Sequence, residues 1–460
     1  MRPMIRQMGR LLTAGLFATV FTACELTVPD YNNPSVEDLQ TNPNSAAIAA
    51  AAQGLLFDTR LTAADMVHWV GAFGREVYPM APTGSSLPGS VRDPWTQTLF
   101  VGTQVWAEAY RNMRNANLLL DALAAAELPE PDKAAVRGFT KTIQAYDLLH
   151  IAVTRRHLGA PVAVGSDPNE PPAPIVGESE VYGHVISLLD EARGDLQAAS
   201  SFPFGVTAGL SNFSSPGDFI RLNRAIKARA EVHRNNWSGA LQAVAESFAG
   251  NNMPLDYGAQ HSWSVNSGDL VNPANRPDLL WANTRFRNEA QARADGSPDL
   301  RFQNKFKVVG AYQLLEVTSD LQYTLYENPS APFVWVKNEE LILIRAEANL
   351  AMGNRAAAIE DINFVRMNSG GLEPLPDPYP GSDDDLLDEL LYNKRFSLVF
   401  EWGHTWIDMN RYDKLLEIPV VGAPSADQRL HSAMPYPLSE CLPREPEVPP
   451  GCMTQQGVIP

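Results

Sequence analysis

The sequence predicts a mostly α-helical body built from stacked helix pairs, with an irregular, loop-rich lobe set into it. Three observations predict this class. Apolar residues recur at the 3.6-residue helical period in about four paired stretches. Two of those stretches repeat one internal pattern of small residues. Residues 250–335, between the second and third pairs, are instead rich in Asn, Gly, Pro, Ser and aromatic residues, which reads as mostly loop with short strands or helices.

At the N-terminus, Arg2, Arg6 and Arg10 precede an uncharged apolar run over 11–21 and then Thr22, Ala23 and Cys24. A basic start, a short apolar stretch and small residues before a cleavage point make a secretory signal. A Cys directly after the small pair is the pattern of a bacterial lipoprotein signal, so residues 1–23 are expected to be removed and Cys24 to be lipidated. The run is shorter than the ~20 residues that a bilayer-spanning helix needs. Residues 24–45 then read as a turn-rich tether, and 46–460 as one body.

The 460 residues carry a formal charge of −17, and loss of the three signal arginines takes the mature chain to −20. Such an acidic surface disfavours nucleic acid and offers nothing to anionic lipid headgroups, leaving membrane attachment to the acyl anchor. A hydrophobic content of 45% is ample for a core.

The helix pairs are expected near 103–158 (103–126 with 133–158), 180–249 (180–199 with 218–249), 338–368 (338–352 with 355–368) and 383–416. The internal pattern sets Ile226, Ala228 and Ala230, a turn at Asn235 and Asn236, then Ala240 and Leu241, beside Ile344, Ala346 and Ala348, a turn at Gly353 and Asn354, then Ala358 and Ile359. Small residues let antiparallel helices approach closely, and a short turn makes them neighbours. This is a tetratricopeptide-like arrangement, in which each pair buries its core against the next. Ser382 before Asp383, Asp384 and Asp385 reads as a helix N-cap with an acidic first turn, not as a cation loop, because the alternating oxygen spacing of a calcium site is missing. In the Pro-rich tail 417–460, Cys441 and Cys452 read as a disulfide in an exported protein; metal binding competes, but the segment between them holds no His or further Cys.

Four stretches together resemble the SusD/RagB family of outer-membrane nutrient-binding lipoproteins. They are Cys24 with its Pro-containing spacer; Ala145, Tyr146, Asp147 and Leu148 running on to Gly159, Ala160, Pro161 and Val162; Glu339 and Glu340 through Ala346 to Arg366; and Asn393, Lys394 and Arg395 through Phe400, Glu401, Gly403, His404, Trp406 and Asp408. Ser397, Trp402 and Thr405 depart from that pattern, standing where Glu, Gly and Arg are common. The resemblance implies a SusD-like fold and a non-catalytic binder of a nutrient, chiefly an oligosaccharide. It implies outer-membrane attachment through the lipid anchor, no cofactor or metal, and a TonB-dependent SusC-like transporter as the partner that the protein covers as a lid.

Sugar rings pack their C–H faces on aromatic rings and satisfy their hydroxyls with polar side chains. Trp69, Trp95, Trp263, Trp281 and Trp335 lie in or near the loop-rich segments, and Trp95, Trp263 with Asn266, and Trp281 with Arg285 are the expected ligand residues. The same rings can equally serve to seal loops against the helical body. The eight His residues form no HExxH or Cys/His metal spacing, and no nucleophile-elbow, P-loop or dinucleotide motif occurs. Two alternatives stay open: a lipid-anchored glycoside hydrolase, since carboxylates are plentiful and nothing selects a pair, and a tetratricopeptide scaffold for other proteins.

Overall fold

The computed structural model describes residues 36–41, 43–81, 100–167, 169–315, 317–418 and 430–452. Its helices of eight or more residues are α1 (Ser45–Asp65), α2 (Trp106–Ala125), α3 (Glu130–Arg155), α4 (Glu178–Gln197), α5 (Pro216–His233), α6 (Trp237–Glu246), α7 (Asn338–Ala351), α8 (Arg355–Val365), α9 (Asp383–Ser397) and α10 (His404–Arg411). The signal, Cys24 and Trp95 lie outside the described residues. Among those described, no helix is long and apolar enough to cross a membrane.

Local chemistry starts several of these helices. The Asn44 side chain accepts from the Ala47 N–H at 3.0 Å to cap α1. Ser215 caps α5 ahead of Pro216, whose missing N–H costs nothing in a first turn. Ser382 and Asp385 form a capping box at α9, each side chain accepting from the other's backbone N–H. The acidic triplet therefore belongs to a helix start.

The helices stack in chain order: α2 lies against α1 and α3, α3 against α4, α4 against α5, α5 against α6, and α7 against both α8 and α9. Small residues set the spacing. A Cβ at Gly138 on α3 would stand 2.6 Å from the Leu196 side chain and 2.8 Å from the Ala192 carbonyl on α4. Ala225, Ala228 and Ala230 on α5 and Ala346 and Ala348 on α7 are fully buried. The stretch expected as one helix over 218–249 is two, α5 and α6. Asn235 there takes a left-handed φ of 60°, which breaks the helix, and the Asn236 side chain accepts from the Gly239 N–H to start the next one.

After α3 the short strands β2 (Ala160–Pro161) and β3 (Ile175–Val176) pair antiparallel ahead of α4. The insert between α6 and α7 leaves and rejoins the stack at one place. Strand β4 (Gly258–His261) pairs antiparallel with β8 (Phe333–Lys337), which runs directly into α7. Between them lie β5 (Leu280–Ala282), paired with β1 (Val77–Pro79), and a hairpin of β6 (Phe306–Leu314) and β7 (Val317–Tyr323). This lobe has its own core around Phe286, Phe306, Leu321, Phe333 and Phe396.

The described part of the Pro-rich tail is built into the body. Tyr436 and Met434 are fully buried, the Met434 N–H donates to the Thr154 carbonyl at 2.8 Å, and the Trp406 indole donates to the His431 carbonyl at 2.8 Å. Cys441 and Cys452 are disulfide-bonded, with Cα atoms 5.6 Å apart.

Candidate functional site

Helix α1 presents Gln53, Phe57 and Arg60 along one face, at the three- and four-residue spacings that place side chains together on a helix. Opposite them run the 207–210 segment, strand β4 and the loop that follows it. Between lies a cleft of about 200 Å³ whose lining includes Phe57, Arg60, Gln260, Ser262 and Asp269. His261 and Trp335 form its floor, stacked at 4.8 Å with a 15° interplanar angle. Burial, with Arg60 and Arg229 adding to it, pushes the His261 imidazole down to about 3, so the floor is neutral at physiological pH.

Arg60 organises the cleft. Its guanidinium lies 4.3 Å from the Phe57 ring and 5.1 Å from the Trp263 ring. One amino group donates to the Ser262 carbonyl at 2.7 Å and the other pairs with Asp269. Cation–π contact and a charge-assisted pair thus hold helix and loop together across more than two hundred residues of chain. Phe57 keeps 37% of its surface exposed, a free apolar face beside the amides of Gln53 and Gln260 and the half-exposed Asp269 carboxylate. An apolar plate flanked by planar polar groups is what a polyol ligand with one C–H face requires. Among the described residues, Asp269 is the sole carboxylate lining this cleft, and it is already paired with Arg60. Glycoside hydrolysis by the usual route needs two, ~5–9.5 Å apart.

The structure splits the sequence-predicted residues. Trp263 stands beside the cleft but is only 4% exposed, packed edge-on against Phe333 at 5.2 Å and covered by Arg60. Asn266 sits three residues on, its N–H donating to the Ser264 hydroxyl at 3.0 Å and its carbonyl accepting from the Asp269 N–H at 3.1 Å. Trp281 lies elsewhere, on β5, 8% exposed and stacked on Tyr312 at 5.3 Å. Arg285 is buried and paired with Glu289 at 3.3 Å. Trp263 and Trp281 therefore have no free face. Both fill the loop lobe's interior in this structure. Trp69 lies flat on His68 at 4.3 Å. Phe57, 37% exposed, and Arg60, paired with Asp269, are the aromatic ring and the cation that line the cleft, and no local sequence motif marks either.

No protein-family model matches the sequence, and no curated protein does. Solved structures do. A SusD superfamily protein from Bacteroides vulgatus superposes with a TM-score of 0.69 at 16% identity, over 89% of this chain and 99% of the other. The fold is SusD-like. A SusD-like carbohydrate binding protein from the same organism matches with a TM-score of 0.61 at 19% identity, over 80% and 83% of the two chains. A SusD/RagB family protein from Bacteroides thetaiotaomicron matches with a TM-score of 0.60 at 15% identity, over 85% and 93%. Within this SusD-like fold, two departures from the family pattern have a use. Trp402 is buried beneath the Arg229 guanidinium at 4.3 Å, and the Ser397 hydroxyl accepts from Arg301 at 2.9 Å.

Proposed function

We propose that the protein captures a nutrient, chiefly an oligosaccharide, without chemical conversion, and hands it to a TonB-dependent SusC-like transporter in the outer membrane. In this reading Cys24 carries the acyl anchor, the protein sits over the transporter as a lid, and tethering raises its effective concentration at the pore. The observation that carries the binding part is the cleft on α1, where the open face of Phe57 lies beside Arg60, Asp269, Gln53 and Gln260. The SusD-like fold supports the reading, as does the carbohydrate binding named for one protein that shares it.

The decisive experiment is a glycan-array screen followed by calorimetry on the hits, with Phe57→Ala as the variant. Stacking on one aromatic ring is worth ~0.5–1.5 kcal/mol beyond the area it buries, so affinity should fall about tenfold or more while the melting temperature stays within a degree or two. Unchanged affinity in Phe57→Ala, or reducing ends released from any bound glycan, would sink the reading. Anchor and partner are tested separately. Palmitate labelling should depend on Cys24, and a barrel should co-purify from membranes.

A further inference from the structure

A second cleft, of about 300 Å³, opens elsewhere in the helical stack. It lies where the turn after α3, the start of α4, the α5–α6 turn and the end of α10 meet. Arg156, Arg234 and Arg411 line it together with Glu178, Tyr182 and His233. In a chain with a net charge of −17, three arginines around one cavity with, among the described residues, a single lining carboxylate is a local reversal of sign.

The cations are incompletely matched. Arg156 donates to a neutral group, the Asn410 side-chain oxygen, at 2.7 Å. The Arg234 guanidinium lies 3.7 Å from Glu231, a loose pair, and its side chain is 36% exposed. Arg411 is held from behind by Glu347 at 2.7 Å and Asp408 at 3.1 Å, yet its Nε–H has no hydrogen-bond partner, although the side chain is 8% exposed. His233, also 8% exposed, has an unpartnered Nδ1. Burial, then Arg411, Lys394, Arg229 and His404, hold that imidazole neutral. Buried polar groups without partners are uncommon, and here two of them line the same cavity.

The twenty-residue helix α4 begins at this cleft. Its N-cap is Gly177, which has no side chain to satisfy the first N–H groups, and Glu178 and Ser179 of its first turn line the cavity. Open N–H groups at the positive end of a helix dipole attract an anion. Glu178 opposes this, but burial pushes its carboxyl up despite the neighbouring Arg156.

We propose that this cleft is a separate binding site for a small organic molecule that carries an acidic group, a carboxylate or a phosphate. The acidic group lies between Arg156, Arg234 and the first turn of α4, and the uncharged frame lies over the exposed lining residues Ser179 and Asn235. This goes beyond the nutrient cleft on α1, from which it is independent.

Calorimetry on the full chain, with glucuronate, glucose 6-phosphate, inorganic phosphate and glucose as probes, tests it. At least one of the two acidic sugars should bind, weakening as salt rises from about 50 to about 300 mM, and glucose should not. Binding of glucuronate alone, of glucose 6-phosphate alone, or of both supports the site and identifies the acid it takes. The Arg156→Gln/Arg234→Gln variant should lose about tenfold or more, equivalent to ~1.4 kcal/mol, with an unchanged melting temperature. Phe57→Ala should bind these probes as the parent does, which separates failure here from failure of the α1 cleft. The proposal is overturned if neither acidic sugar binds, if glucose binds equally, if inorganic phosphate binds as tightly as glucose 6-phosphate, or if the double variant retains full affinity.

Discussion

Removing the carboxylate of Glu347 should destabilise the helical stack, because it leaves buried cations short of a partner. Glu347 on α7 is completely buried and accepts from Lys394 of α9 at 2.8 Å, from Arg411 of α10 at 2.7 Å and from the Tyr412 hydroxyl at 2.7 Å. Arg411 also donates to the Val232 carbonyl of α5 at 2.7 Å, so one carboxylate ties four helices together. In Glu347→Ala, two cations with side chains 3% and 8% exposed lose their shared partner. Asp408 still reaches both, Lys394 at 2.8 Å and Arg411 at 3.1 Å. Breaking a buried pair costs ~3–5 kcal/mol, and the remaining carboxylate places this case at the lower end, about 3 kcal/mol. Unfolding entropy of ~2.1 cal/mol/K per residue makes that a fall of about 3 °C in melting temperature for a chain of this size.

Differential scanning calorimetry reads the shift, and two comparisons test its cause. Glu347→Leu combined with Lys394→Met removes one charge of each sign, and should recover part of the loss because apolar replacements escape the desolvation penalty. Acid provides the second. Burial alone would raise the Glu347 carboxyl, but Arg411 and Lys394 outweigh it and hold the group well below the usual carboxylate range. A depressed folded-state value gives stability that is present above the unfolded value of ~4.3 and lost as pH falls through the folded one. Glu347→Ala should therefore lose stability less steeply than the parent below about pH 5. A cost below about 1 kcal/mol, or an identical acid slope, would refute the view of this cluster as a buried ion-pair network.

Three further outcomes follow from the packing. Gly138→Ala should lower the melting temperature by about 1–3 °C although Ala is the better helix former by ~1 kcal/mol, because its methyl would meet Leu196 and the Ala192 carbonyl; a rise would mean that α3 and α4 can part freely. Burial pushes the Asp147 carboxyl up to about 8 against the hydrogen bonds from Thr59 and Asn112. A raised folded-state value gives stability that is full below the unfolded value and lost as pH rises through the folded one, so Asp147→Asn, which imitates the protonated acid, should gain on the parent between pH ~4 and ~8 in urea titrations. Replacing Cys441 and Cys452, eleven residues apart, with Ser frees a loop worth about 3 kcal/mol on chain-entropy grounds, read as a fall of about 3–4 °C under non-reducing conditions and none after reduction of the parent.

Much of the helical stack was legible because its determinants are local. The 3.6-residue period marks the face of each helix, Ser382 and Asp385 mark a start, and Gly353 and Asn354 mark a turn, all within a few residues of the structure they produce. The one misreading in the stack, a single helix over 218–249, came from following periodicity across Asn235 and Asn236, where left-handed backbone and a capping side chain override it. Even there the internal pattern contained the turn.

The α1 cleft was harder to see, for a physical reason. It is assembled by pairs such as Arg60 with Asp269 and Arg60 with Trp263, whose members are remote in sequence and adjacent only after the insert has folded back through β4 and β8. Composition can show that a Trp sits in a loop; it cannot show which side of the ring faces solvent. In this lobe the largest rings went inward, where their area counts most, and the exposed aromatic face fell to Phe57 on a helix whose Ala-rich sequence advertises only packing. The cations behave in the same way. Arg229, Arg301 and Lys394 are spent on buried carboxylates, while Arg156 and Arg234, next to the turns between helices, are left with a neutral amide and a distant Glu. In both proposed clefts, binding would rest on side chains whose partners the core does not fully supply.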